Sequence, residues 1–191
     1  ADARKVDYTQ RLSLAGMKGL RIGVLRDRLG DRADLKAMLE SELAVMRQLG
    51  AVIVDIDDSR TGLDALGEAE FAVLMHELKA DMAAYLASLP GSAGPRTLAD
   101  LIAFNSANPV EMRWFDQGLF ELAQSKEGLD SAAYRNARDT AKRLAGEQGI
   151  DRLLRDHRVD LLLGISNGPA WTIDLVNGDH FGGGSSEPAA I

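Results

Sequence analysis

The sequence predicts an α/β protein, rich in helix, with a few mostly parallel strands. Three observations lead there. Alanine and leucine each occur 27 times in 191 residues, and both are strong helix formers. Only three short stretches, Leu20–Leu25, Ala51–Ile56 and Val159–Leu163, are aliphatic, branched and bounded by turn residues in the manner of buried strands. Between the first two, Leu35, Met38, Leu39, Leu43, Met46 and Leu49 recur at offsets of three and four, which is the apolar face of one helix. Strand, helix, strand is a βαβ unit, so the strands should be parallel and the crossover right-handed.

The elements follow in order. Asp31 or Asp34 is placed to cap the first helix and Gly50 to end it. A long helix is expected from about Leu66 to Leu89, stopped by Pro90. The loop Gly91–Arg96 separates it from a helix capped by Thr97, which carries Leu98, Leu101, Ile102 and Phe104 and ends near Asn108-Pro109. A further helix is expected over Glu111–Ser125. Another opens at Asp130 or Ser131 and ends near Gly149, and a short one with Leu153 and Leu154 leads into the third strand. No internal repeat, heptad run or low-complexity segment interrupts this order.

Composition narrows the function. Twenty-two basic and 29 acidic side chains give a formal charge of −7, and no basic patch dominates any stretch, which argues against a nucleic-acid or anionic-membrane binder. Without cysteine there is no disulfide, thiolate metal site or cysteine nucleophile. The longest uncharged stretch, Leu161–Ile173, is shorter than the roughly 20 apolar residues of a membrane span. The N-terminus has no apolar core and is no secretory signal, which favours the cytoplasm, although a cut N-terminus would have lost such a signal. The chain lacks an initiator Met and stops in the apolar run Pro188-Ala189-Ala190-Ile191, so a segment of a longer protein is expected.

Few constellations carry chemistry. His76, His157 and His180 are widely separated, and no H-E-x-x-H spacing exists; His76 reads as a surface or half-buried helix residue. Asp55, Asp57 and Asp58 close the second strand, where carboxylates can bind Mg²⁺ or accept a phosphoryl group; a solvated strand end is the simpler reading. The first βα turn, Arg26–Asp31, lacks the glycines that let backbone amides approach a pyrophosphate. The stretch Gly164–Ser186 is the most informative: it holds six glycines with Trp171, His180 and Phe181, in the loop after a parallel strand. In Gly182-Gly183-Gly184-Ser185-Ser186 the glycines can aim N–H groups at an oxyanion, and a serine opening a helix can serve as nucleophile. No base is identifiable by spacing, and Ser185 or Ser186 as N-cap, with Pro188 in the first turn, is favoured.

Several stretches jointly resemble the later part of the amidase signature family, the serine amidohydrolases, in their bacterial peptide-amide or aliphatic-amide form. They are Asp7-Tyr8-Thr9, the strand ending Gly23-Val24-Leu25-Arg26, Glu68–Phe71 leading to Glu77–Asp81 and Tyr85-Leu86, and Arg96–Asn105. Gly168–Trp171, Asp174–Asp179, Gly184-Ser185-Ser186 and Pro188–Ile191 complete the set. The resemblance implies that residues 1–191 are a single incomplete domain, a portion of the amidase-signature fold with some strands of a larger mixed sheet. It also implies hydrolysis of a carboxamide C–N bond in a small-molecule or peptide amide, through a serine acyl-enzyme.

The family's nucleophile, its second serine and its lysine base lie in an earlier stretch built around G-G-S-S-G-G-S, which this sequence lacks. Gly183-Gly184-Ser185-Ser186 continues Glu187-Pro188-Ala189 and matches a later, non-nucleophilic element. Lys79 lacks the context of the family's lysine. No catalytic residue is therefore expected in this chain, which alone should be inactive, and no metal or organic cofactor is implied. Asn167, Trp171, Asp174 and Phe181 are the expected pocket-lining residues, although Trp171 as core packing is an equal reading; family members often carry Pro-Thr where Gly164-Ile165-Ser166 stands. Strands deprived of neighbours would expose edges, so a homodimer through those edges is expected, or recruitment of the remaining part. Two other classes stay open: a stand-alone binding or regulatory module with a partial amidase fold, and a small Mg²⁺-dependent phosphoacceptor domain using Asp55–Asp58.

Overall fold

The computed structural model describes residues 5–28, 31–59, 61–91, 94–181, 184, 186 and 189. Ser185, Gly182, Gly183 and Pro188, which the sequence singles out, lie outside the described residues. The chain divides into two compact units. The first comprises Ala1–Thr61, Gly146–Trp171 and His180–Ala190, the second Gly62–Ala145 and Thr172–Asp179.

In the first unit three parallel strands, β1 (Arg21–Leu25), β2 (Val52–Ile56) and β3 (Leu161–Leu163), form a sheet in the order β2-β1-β3. The register pairs Gly23 with Val54 on one side and with Leu162 on the other. Helix α1 (Ala33–Gln48) connects β1 to β2, which is the expected βαβ unit. Alternation along β1 decides its two faces. Ile22 and Val24 are buried with Leu39 and Leu43 of α1, while Leu25 and Ile56 are buried with Leu153 and Val159 on the opposite side. Gly23 is required on that second face: a Cβ there would stand 2.6 Å from Ile56 Cδ1 and 3.0 Å from side-chain atoms of Val159 and Leu162.

The α1 start differs from expectation. Arg32 is the cap residue and makes no side-chain cap bond. Asp34 lies inside the first turn, where its carboxylate is held by the Arg32 guanidinium at Nε, 2.9 Å away. That pairing lowers its pKa to about 2. Met38, placed on the apolar face by spacing, is half exposed, whereas Leu39 and Leu43 are buried. Gly50 ends the connection with a φ of 94°, a conformation that favours glycine.

The second unit is helical. Its long helix α2 (Leu63–Ser88) starts after Gly62 at a φ of 83°. Helix α3 (Leu98–Ala107) opens with a capping box: Thr97 Oγ1 accepts from Asp100 N, and the Asp100 carboxylate accepts from Thr97 N at 2.9 Å. The helix expected over Glu111–Ser125 is not formed over most of that range; only α4 (Gly118–Gln124) is helical, after a turn. Two side chains divert the backbone. Asp116 Oδ1 accepts from Gly118 N at 3.0 Å, and buried Gln117 bonds back to α3 through Asn105, Ser106 and Ile102.

Helix α5 (Ala132–Ala145) lies close against α2, where Ala141 and Ala145 face Leu66 and Ala69. It stops at Ala145, earlier than the expected Gly149; Gly146–Ile150 is a wider π turn. Helix α6 (Asp151–His157) belongs to the first unit and leads to β3. His76 is buried rather than at the surface: its Nδ1 is 2.8 Å from the Ala72 carbonyl and its ring 5.8 Å from that of Tyr134. Among the described residues no helix is long and apolar enough to cross a membrane.

Candidate functional site

In a parallel sheet ordered β2-β1-β3, the chain leaves β1 toward one neighbour and later returns to its other side. The place where connections diverge leaves a crevice at the carboxyl ends of β1 and β3. A pocket of about 250 Å³ opens there, lined by Leu25 of β1, Leu162, Gly164 and Ser166 of β3 and its loop, Gly149, Ile150 and Leu153 from the α6 side, and Arg28, Ser186 and Ala189. Its wall is mostly aliphatic, with one cation and two hydroxyls.

Arg28 is 8% exposed, so its charge needs partners. Its Nε donates to Ser59 Oγ at 2.8 Å and a terminal nitrogen donates to the Ser59 carbonyl. Ser59 Oγ in turn donates to Asp27. The neighbouring Asp58 is clasped from α6: Arg152 donates to its Oδ2 at 2.7 Å and its carbonyl at 3.0 Å, and His157 Nε2 lies 2.8 Å from its Oδ1. Hydrogen bonding from Arg152, seconded by His157, holds the Asp58 carboxyl below the usual carboxylate range. The ends of β1 and β2 are thus fastened to α6 around the pocket by polar contacts. Asp55 is engaged separately by Arg26 Nε at 2.7 Å. Two of the three strand-end carboxylates are therefore ion-paired with arginine. Among the described residues no group of three or more His, Asp or Glu is placed to hold a metal ion.

The loop after β3 meets the tail. Trp171 and Phe181 contact edge to face, with ring centroids 6.1 Å apart. Gly184 sits so close to the loop that a Cβ would overlap the Ser166 carbonyl oxygen and lie 3.3 Å from Asn167 Cα. Ser186 Oγ donates to the Ser166 carbonyl at 3.5 Å. Asn167, Trp171 and Phe181 therefore share one loop cluster of the first unit, beside the pocket. None of the four expected lining residues is among those that line the pocket itself. Asp174 belongs to the second unit, where its carboxylate accepts from Val176 N and Asn177 N at 2.9 Å each and shapes a turn closed by Gly178.

Among the described residues no serine is hydrogen-bonded to a lysine or histidine. Lys79 Nζ instead donates to the Gln124 and Lys126 carbonyls at 3.0 and 2.7 Å, closing the end of α4. The Arg28–Ser59 pair escaped the reading of the sequence, which tested the βα turn for phosphate-binding glycines only. An arginine three residues past a buried strand was the available signal.

Similarity to known proteins accords with this arrangement. No protein-family model matches the chain, and no curated protein matches its sequence. Solved structures do match. A peptide amidase bound to the competitive inhibitor chymostatin is 38% identical over 97% of this chain, with a TM-score of 0.84. The native peptide amidase of Stenotrophomonas maltophilia is 37% identical over the same share, with a TM-score of 0.80. An amidase family protein of Bacillus anthracis str. Ames, 23% identical over 83% of the chain with a TM-score of 0.62, shows the fold alone.

In sequence and fold the chain is similar to one part of these amidases. The likeness in particular is to peptide amidase. The chain spans 37% of the length of those peptide amidases.

Proposed function

We propose that this chain forms part of an amidase that hydrolyses a carboxamide C–N bond through a serine acyl-enzyme. The nucleophilic serine attacks the amide carbon, the amine or ammonia leaves with a proton, and water releases the acid. Backbone amides hold the oxyanion. The nucleophile and its base belong to a part of the enzyme outside residues 1–191, so the chain alone is inactive. Asn167, Trp171 and Phe181 line the substrate cleft of the whole enzyme, and a peptide amide is the substrate class.

The observation that carries this reading is the 38% identity to a peptide amidase over 97% of the chain. The test joins this chain to the portion of the Stenotrophomonas maltophilia peptide amidase that it does not match, and measures ammonia release from a peptide amide. The joined protein is expected to release ammonia and the isolated chain to release none. Ammonia release by the isolated chain, lost in Ser185→Ala or Ser186→Ala, would place the nucleophile within residues 1–191 and overturn the assignment.

A further inference from the structure

The sequence holds two Asn-Gly pairs, Asn167-Gly168 and Asn177-Gly178, and both asparagines are exposed. Such a pair is chemically labile, because glycine has no Cβ to keep its nitrogen from the side-chain amide before it. The surroundings of the two pairs differ. Asn177 is clamped by Asp174: its Nδ2 donates to Oδ2 at 2.8 Å and its backbone N–H donates to Oδ1 at 2.9 Å. Gly178 N donates to the Asp174 carbonyl at 3.0 Å. The side-chain amide is thus held toward Asp174, and the nitrogen that would attack it is engaged elsewhere. At Asn167 no such clamp stands. Gly168 N lies 3.2 Å from Oδ1 of Asn167 itself, which sets the side-chain carbonyl against the nitrogen that must attack it. Among the described residues nothing else bonds the Asn167 side chain.

We propose that Asn167 is a site of self-modification, and that Asp174 spares Asn177 the same reaction. Gly168 N, its proton taken by hydroxide, attacks Asn167 Cγ. The N–Cγ bond forms, the Cγ–Nδ2 bond breaks, and Nδ2 leaves as ammonia with a proton from water, closing a succinimide ring. Water then opens the ring. Attack at Cγ breaks the new bond and leaves aspartate; attack at the main-chain carbonyl breaks the old peptide bond and leaves isoaspartate, whose backbone runs through the side-chain methylene. Nothing is oxidised or reduced: one water enters and one ammonia leaves. Either product adds a carboxylate to a chain of formal charge −7. Isoaspartate also lengthens the main chain where Gly184 meets Ser166 with no space even for a Cβ. Asn167 stands in the loop cluster with Trp171 and Phe181, so the reaction acts on the candidate site as a slow, one-way ageing step.

The test ages the folded 191-residue chain at mildly alkaline pH, with no amide added, and follows both asparagines by peptide mapping in a mass spectrometer. Asn167 is expected to convert roughly tenfold or more faster than Asn177, the rate equivalent of one hydrogen bond to a charged group. In guanidinium chloride, where the clamp is lost, the two rates should converge. In the folded chain Asp174→Ala should bring Asn177 up to the Asn167 rate, and the milder Asp174→Asn should move it the same way. Ammonia should stop at one per converted asparagine, which separates this release from turnover of an amide substrate. Equal rates in the folded chain, a faster Asn177, or an Asn167 that stays intact while the unfolded chain converts would overturn the proposal. A rate difference that persists in guanidinium chloride would trace it to local sequence and sink the structural account. An Asn177 left slow by both Asp174 variants would remove Asp174 as its guard.

Discussion

Gly184 and Gly23 show what a single missing Cβ permits. At Gly184 the obstruction is backbone, the Ser166 carbonyl, so Gly184→Ala must displace one of two chain segments. At Gly23 the nearest obstruction is the end of the Ile56 side chain, which can rotate. Gly23→Ala is therefore expected to cost about 1–3 kcal/mol in urea unfolding, the usual range for overpacking. Asp58 makes a statement about pH. Its carboxyl is held below the ordinary value by Arg152 and His157, so its contribution is complete above about pH 4 and is lost as pH falls through the lower folded value. The stability lost in Asp58→Asn should accordingly shrink in urea titrations carried from about pH 5 into more acidic solution. At the loop cluster, Trp171→Ala or Phe181→Ala in the joined enzyme is expected to raise KM for a peptide amide more than it lowers kcat, because each removes apolar surface and no proton-transfer group. Equal losses in both constants would remove these two rings from the cleft. The candidate loop was legible because glycines and aromatics after a buried strand mark a site. The Arg28–Ser59 contact was not, since the two residues meet only when β1 and β2 pair in register.

Elements whose signals are local were read correctly, the cap of α1 excepted, and those decided by a distant partner were not. Thr97 with Asp100 three residues on announces a helix start by itself, and the capping box is present. Replacing Thr97 by Ala should cost about 1 kcal/mol, checked by thermal unfolding. The βαβ crossover and the long α2 were equally visible, the first from an apolar face at offsets of three and four, the second from a run of helix formers stopped by Pro90. The stretch after Pro109 has good helix formers too, yet buried Gln117 bonds to three groups of α3 and the helix begins only at Gly118. Nothing within Glu111–Ser125 reports on α3. Lys79 is another long-range case: it reaches two carbonyls at the end of α4, a cation placed where the helix dipole is negative. Lys79→Met should lower stability by about 1 kcal/mol and leave the amidase activity of the joined enzyme unchanged, which separates closing a helix from serving as a base.

At the scale of the molecule, the helical unit is an insertion. The first unit begins with β1 and β2, is interrupted by Gly62–Ala145, and is completed by α6 and β3. Ile22 pairs with Ile53 on one side and with Leu161 on the other, a near and a far neighbour in sequence. On a ribosome adding about 5–20 residues per second, the intervening stretch takes roughly 4–17 seconds to emerge. For that interval the central strand has one partner and an open edge on its other side. The nascent chain is then most exposed to wrong pairing, and slowing translation across Gly62–Ala145 should raise aggregation while slowing it after Leu163 should not.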